Sequence, residues 1–142
     1  MTHAFVAEEY KPASDEGSGT ITGQAFLRTR GGDVRTAAGQ QVVLYPATAF
    51  TRELSVYLEN GISPTEFPAP SWQSPFVGRL KDFTRFFQAD ASGNFEFTRV
   101  PPGDYIVGTE VSWTVGYRPQ GGFITKEVTV RDGETARVIV TQ

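Results

Sequence analysis

Asp90-Ala91-Ser92-Gly93-Asn94-Phe95-Glu96-Phe97, followed shortly by Val100-Pro101-Pro102-Gly103-Asp104-Tyr105, constrains the architecture more than any other part of this chain. Phe95 and Phe97 are two residues apart, so a strand sends both side chains to one face. Gly93 and Gly103 stand where a turn needs backbone angles that a Cβ would strain. Asp90 and Asn94 are of the type that bonds turn amides. The stretch therefore predicts a tight turn into a strand, a second turn, and a longer strand beginning near Tyr105.

The same grammar extends in both directions. Upstream, Leu80 to Ala89 alternates as Phe83, Arg85, Phe87 and Ala89 against Thr84, Phe86 and Gln88, so it is expected to form a hairpin with residues 94–97 across Asp90–Gly93. Thr20–Leu27 reads as the first strand, with Ile21, Gly23, Ala25 and Leu27 on one face and small residues suited to a close approach of the opposite sheet. Thr29-Arg30-Gly31-Gly32-Asp33 reads as a plain turn, one glycine too long for an Arg-Gly-Asp tripeptide. Gln41–Tyr45 is a second strand stopped by Pro46. Downstream, Tyr105–Trp113 is a strand whose phase makes Trp113 a core residue. Gly116–Gly122 is expected to be a loop leading to Ile124–Val130. Arg131-Asp132-Gly133-Glu134 predicts a last hairpin turn, with Ala136, Val138 and Val140 on one face of the final strand.

Residues 46–78 break this rhythm and read as an insertion. Phe50, Leu54, Tyr57 and Leu58 have the spacing of an amphipathic helix, and Asn60-Gly61 provides a stop. Leu54, Val56 and Leu58 also alternate as a strand would. Four prolines within Ser63–Phe76 exclude that segment from a central ladder, so an extended loop over the sandwich is expected. Residues 1–18, with Glu8, Glu9, Asp15 and Glu16 among Pro12, Ser14 and Gly17, read as a flexible tether. About seven strands at this spacing predict an all-β, antiparallel Greek-key sandwich over residues 19–142, with one short helix in the inserted loop.

Composition agrees and narrows the function. The 142 residues suffice for one domain with a real core, 13% of them are aromatic, and 15 glycines punctuate the chain too often for a helical bundle. A net charge of −3 with no basic run argues against nucleic acid as a partner. No stretch approaches the ~20 apolar residues of a membrane helix. There is no Cys, and the one His is His3. Disulfides, thiolate chemistry, His-dependent triads and His-cluster metal sites are thereby excluded, and no catalytic residue, metal or cofactor is expected. P-loop, nucleophile-elbow and dinucleotide fingerprints are absent as well. Calcium at Asp90 and Asn94 is a weaker reading than turn capping, because the acidic density of an EF-hand loop is missing. An intramolecular Lys–Asn or Lys–Asp cross-link is not expected, since the first strand carries no Lys and alternation turns Glu110 outward.

The stretch from Asp90 to Tyr105, with Gly23-Gln24-Ala25 and Val42-Val43-Leu44, resembles the carboxypeptidase regulatory-like domain, a transthyretin-like (prealbumin-like) β-sandwich common in bacterial envelope proteins. The family pattern is a D-x-x-G-x-F-x-F hairpin, a short P-x-G-x-Y turn and an early G-x-A/V strand. The resemblance spans roughly residues 19–142, interrupted by the insertion. It implies a fold much more than an activity. It also implies an extracytoplasmic protein, secreted or in the cell envelope, its signal sequence removed and a membrane reached only through a lipid anchor upstream of the chain.

Recognition is expected on loops held by a rigid scaffold. The candidates are Phe67, Trp72 and Phe76 in the insertion and Tyr117 and Arg118 near the other end, since aromatic faces stack on sugars or anchor proteins. The competing reading is that the insertion aromatics merely cover the sandwich. The preferred function is a non-enzymatic interaction or structural module with a protein partner. The alternative is a small carbohydrate-binding module.

Overall fold

A computed structural model describes His3, residues 6–10 and 16–60, Leu80 and residues 83–142. Among the described residues, eight strands form two four-stranded sheets. The first contains β1 (Gly19–Arg28), β2 (Val34–Thr36), β5 (Asn94–Val100) and β8 (Thr135–Val140). The second runs β4 (Arg85–Gln88), β3 (Gln41–Pro46), β6 (Gly103–Val115) and β7 (Arg118–Val130). The inner faces carry the expected alternation: Ile21, Ala25 and Leu27 with Phe95, Phe97 and Val140 meet Leu44, Tyr105, Val107, Val111 and Ile124 in one core. The all-β sandwich is therefore observed.

Several connections differ from the sequence expectation in one consistent way. The Asp90 turn forms as predicted: Asp90 Oδ1 accepts from Ser92 N at 2.8 Å and Asn94 N at 2.9 Å, and Gly93 has φ +79°. These amide bonds hold the Asp90 carboxyl below its usual range. The turn is not a hairpin, however, because β4 pairs with β3 and β5 pairs with β1. It carries the chain across from one sheet to the other. The Arg131–Glu134 turn does the same, since β8 leaves β7 and lies parallel to β1, Thr20 opposite Thr135 and Ala25 opposite Val140. Within an otherwise antiparallel sandwich this is the one parallel pair among the described strands. Tight-turn chemistry fixes a reversal of direction and leaves the pairing partner open.

Three boundaries also move. The strand expected from Leu80 is ordered as strand only at Arg85–Gln88, where Phe86 and Phe87 are exposed rather than opposed across a core face. The loop expected at Gly116–Gly122 shrinks to the turn Gly116-Tyr117, the Gly-X order of a II′ hairpin, with Gly116 at φ +64°. Arg118 to Gly122 are paired strand: β7 is the last strand of its sheet, a position where Pro119 and two glycines are tolerated. The short β2 pairs with the end of β1, Leu27 opposite Arg35, and was not anticipated.

The outer face of the second sheet is covered by α1 (Ala49–Glu59). Thr48 caps it: Thr51 N donates to Thr48 Oγ1 at 3.1 Å, and Thr48 N donates to Thr51 Oγ1 at 2.7 Å. Phe50 and Leu54 are buried against Tyr45 and Ile106, each such burial stabilising by about 1.5–3 kcal/mol. Arg52 pairs with Glu127 of β7 at 2.8 Å, and Glu59 accepts from Thr125 N at 3.1 Å, pinning the exposed side of the helix to the sheet edge. The helix, with its stop at Asn60, follows the expected spacing. The rest of the insertion, 61–79, lies outside the described residues.

Tyr10 departs from the expectation of a free tether over residues 1–18. It ends a short 3-10 turn, is fully buried, stacks on Phe83 at 5.3 Å and shares a 2.8 Å hydrogen bond with Thr48 Oγ1. One aromatic beside two glutamates has no period, so nothing local announces its burial. Burial pushes the phenols of Tyr10 and Tyr45 from about 10 up to about 12, against the opposing effect of their bonds to Thr48 and Ser55. Above pH 10 the unfolded chain therefore releases phenolic protons that the folded protein retains, so stability falls as pH rises toward 12. Below that window the stabilisation is complete. Each tyrosine should account for about 2–3 kcal/mol of the loss. Denaturant titrations across the alkaline range should show a steep decline that the Tyr10→Phe, Tyr45→Phe double variant flattens; parallel declines in the two proteins would refute this assignment.

Candidate functional site

The two sheets separate at one end, and the gap between them is the candidate site. β1 and β2 approach it from the first sheet. The inward alternation of β1 ends on buried Leu27, and the pairing of Leu27 with Arg35 puts Arg35 on the same inner side, at the rim. β6 and β7 approach from the second sheet. Trp113 and Val115 continue the inward row of Tyr105, Val107, Thr109 and Val111 beyond the point where opposing residues fill the core. Gln120 is paired with Trp113 and Arg118 with Val115, so these polar residues face the same side as the aromatic.

The resulting groove has a volume of about 890 Å³ and is lined by Leu27, Arg28, Thr29, Arg30, Gly31, Asp33, Arg35, Trp113, Val115, Gln120, Gly121 and Gln142. That is the scale of a small-ligand site, with an aromatic and aliphatic wall facing polar groups. The loop at its mouth is closed on itself: Thr29 N donates to Asp33 O at 2.8 Å, Gly32 N donates to Thr29 O at 2.9 Å, and Asp33 N reaches Thr29 Oγ1 at 3.2 Å. Gly32, at φ +88°, makes that closure possible. Trp113 is half-buried, packed against the core on one side and lining the groove on the other.

The expected site residues fare differently. Phe67, Trp72 and Phe76 lie outside the described residues. Tyr117 sits fully exposed at the hairpin tip, away from the groove lining. Arg118, two residues from Gln120 and on the same face, flanks the groove. Trp113, read as core, proves to be both core and wall. The contribution of Arg30, Asp33 and Arg35 was missed, because the turn that carries them is unremarkable as sequence and gains its meaning only from what stands opposite. Among the described residues no group of three or more His, Asp or Glu side chains converges as a metal site. Tyr105, whose hydroxyl donates to Pro101 O at 2.7 Å, is a buried structural tyrosine.

Architecture and groove together define a β-sandwich module with a groove at one open end. No family model matches the chain, and no curated protein matches it in sequence. Among solved structures it is similar to a provisionally assigned carbohydrate binding protein of Pseudomonas aeruginosa, with 25% identity, a TM-score of 0.80 and 99% of each chain covered. It is also similar to a minor pilin of Streptococcus agalactiae, with 17% identity, a TM-score of 0.46, and 89% of this chain and 44% of that one covered. No helix among the described residues is long and apolar enough to cross a membrane.

Proposed function

We propose that this protein is a non-enzymatic carbohydrate-binding module of the bacterial cell surface, taking its glycan in the groove between the β1–β2 turn and the β6–β7 ribbon. The observation that carries the reading is Trp113 on the groove wall, with Gln120 and the Thr29–Asp33 loop supplying polar groups around it. Sugars are recognised by this combination: an aromatic face against the C–H surface of the ring, and side-chain donors and acceptors for its hydroxyls. The likeness to the Pseudomonas aeruginosa protein, which extends over 99% of each chain, supports the same conclusion. A chain without Cys and with His3 as its only His leaves little for catalysis. The carboxypeptidase regulatory-like resemblance and an extracytoplasmic location with a lipid anchor upstream belong to this proposal.

This reading replaces the insertion aromatics with Trp113 as the principal platform. Glycan-array screening followed by calorimetry tests it. Trp113→Ala should weaken binding about tenfold, the equivalent of one lost aromatic contact. Trp113→Phe should recover part of it, with melting curves confirming that both variants remain folded. A folded wild-type protein that retains no glycan would overturn the proposal and leave a protein-binding role, for which exposed Val115 and Tyr117 at the ribbon tip offer an apolar contact.

A further inference from the structure

The groove is electrically unlike the protein that carries it. The whole chain has a formal charge of −3, yet the groove lining contains Arg28, Arg30 and Arg35 against one acidic side chain, Asp33. Arg118 adds a fourth cation beside it, on the face of Val115. Arginines on a protein surface are commonly neutralised by neighbouring carboxylates. Here the ion pairs among described residues are His3–Glu53, Arg52–Glu127 and Arg99–Glu16, and none involves a groove arginine. The groove guanidiniums are therefore available, and two of them are well placed. Arg30 stands on a loop fixed by three hydrogen bonds, and Arg35 on a strand paired with β1.

Resting on the carbohydrate reading above, we infer that the groove selects acidic glycans, with Arg30 and Arg35 binding the anionic substituent of a sugar ring while Trp113 takes an adjoining ring face. A planar guanidinium matches a carboxylate with two parallel hydrogen bonds, so uronic-acid oligosaccharides are the favoured class. Concentrating positive charge in a concave site on a net-negative protein also directs polyanions to that site in preference to the rest of the surface. Because these arginines are exposed, the attraction is screened by salt.

The test compares an oligouronate, its carboxyl-reduced neutral counterpart and a sulfated oligosaccharide on the full chain. The oligouronate should bind at least about tenfold more tightly than its reduced counterpart, and more weakly as salt is raised from about 50 to about 500 mM. The Arg30→Gln, Arg35→Gln double variant should lose about tenfold for the oligouronate, bringing it down to the affinity of its reduced counterpart. Arg52→Gln, which removes the same kind of charge from the helix on the far side of the second sheet, should change nothing. Preference for the sulfated sugar over the uronate would support the anionic site and make sulfate its target. Equal affinity for the charged and reduced oligomers would overturn this inference while leaving the carbohydrate reading intact. Absence of binding to all three and to neutral arrays would overturn both.

Discussion

Gly23→Ala will destabilise the protein by at least about 3 kcal/mol, the upper end of what overpacking a core costs. Gly23 lies mid-β1, opposite Phe95 on one side and Val138 on the other. A Cβ there would stand 2.0 Å from the Val138 carbonyl oxygen and 2.6 Å from the Phe95 ring. A ring can rotate away, whereas a carbonyl engaged between strands moves only with its strand. Phe95→Leu in the same chain should therefore fail to rescue Gly23→Ala. Thermal melts should show a drop on the order of 10 °C or more. A midpoint within a few degrees of wild type would mean that β8 can shift away from β1, against the pairing described.

The second large effect is expected at Phe97. It is buried, sits edge-on to Phe95 at 6.0 Å and to Phe87 at 6.1 Å, and so connects β5 to β4 of the opposite sheet. Phe97→Ala removes the ring and leaves a cavity that two strands from different sheets cannot readily collapse to fill. The loss should be about 3–5 kcal/mol, against less than about 1.5 kcal/mol for Phe97→Leu. Urea unfolding separates the two: both midpoints fall, the slope stays constant, and alanine falls several times further than leucine. Similar losses for both would show that the ring is not confined as described.

What could be read from the residues was local. The spacing of Phe50, Leu54, Tyr57 and Leu58 announced the helix, and the alternation through Ile21 and Leu27 announced the inner face of β1. The Asp90 and Gly103 turns followed from residue chemistry within a few positions. Pairing partners were not legible. Turn residues that would make a hairpin serve equally well to pass a strand across to the other layer, and only the competition for β1 among β2, β5 and β8 decides. Arg118–Gly122 looked like a loop because proline and glycine were weighed without knowing that they would lie at a sheet edge. The groove was hidden for a related reason: its walls come from residues 27–35 and 113–121, and neither segment carries a ligand pattern alone. Trp113 was visible as an inward residue, yet the fact that the opposite sheet ends before covering it could not be deduced from β6.

The parallel pairing of β1 and β8 has a kinetic meaning. β1 is held by β5 on one flank and by β8 on the other, and Thr20 must find Thr135 across nearly the whole chain. Closing so long a loop is entropically unfavourable before its contacts form, so this seam should zip late and limit the rate of assembly. Until it does, β1 presents a bare edge carrying Ile21 and Ala25. Refolding at high concentration should therefore go astray through that edge first, and a peptide copying Thr135–Val140 should compete for it during refolding while leaving the native protein untouched.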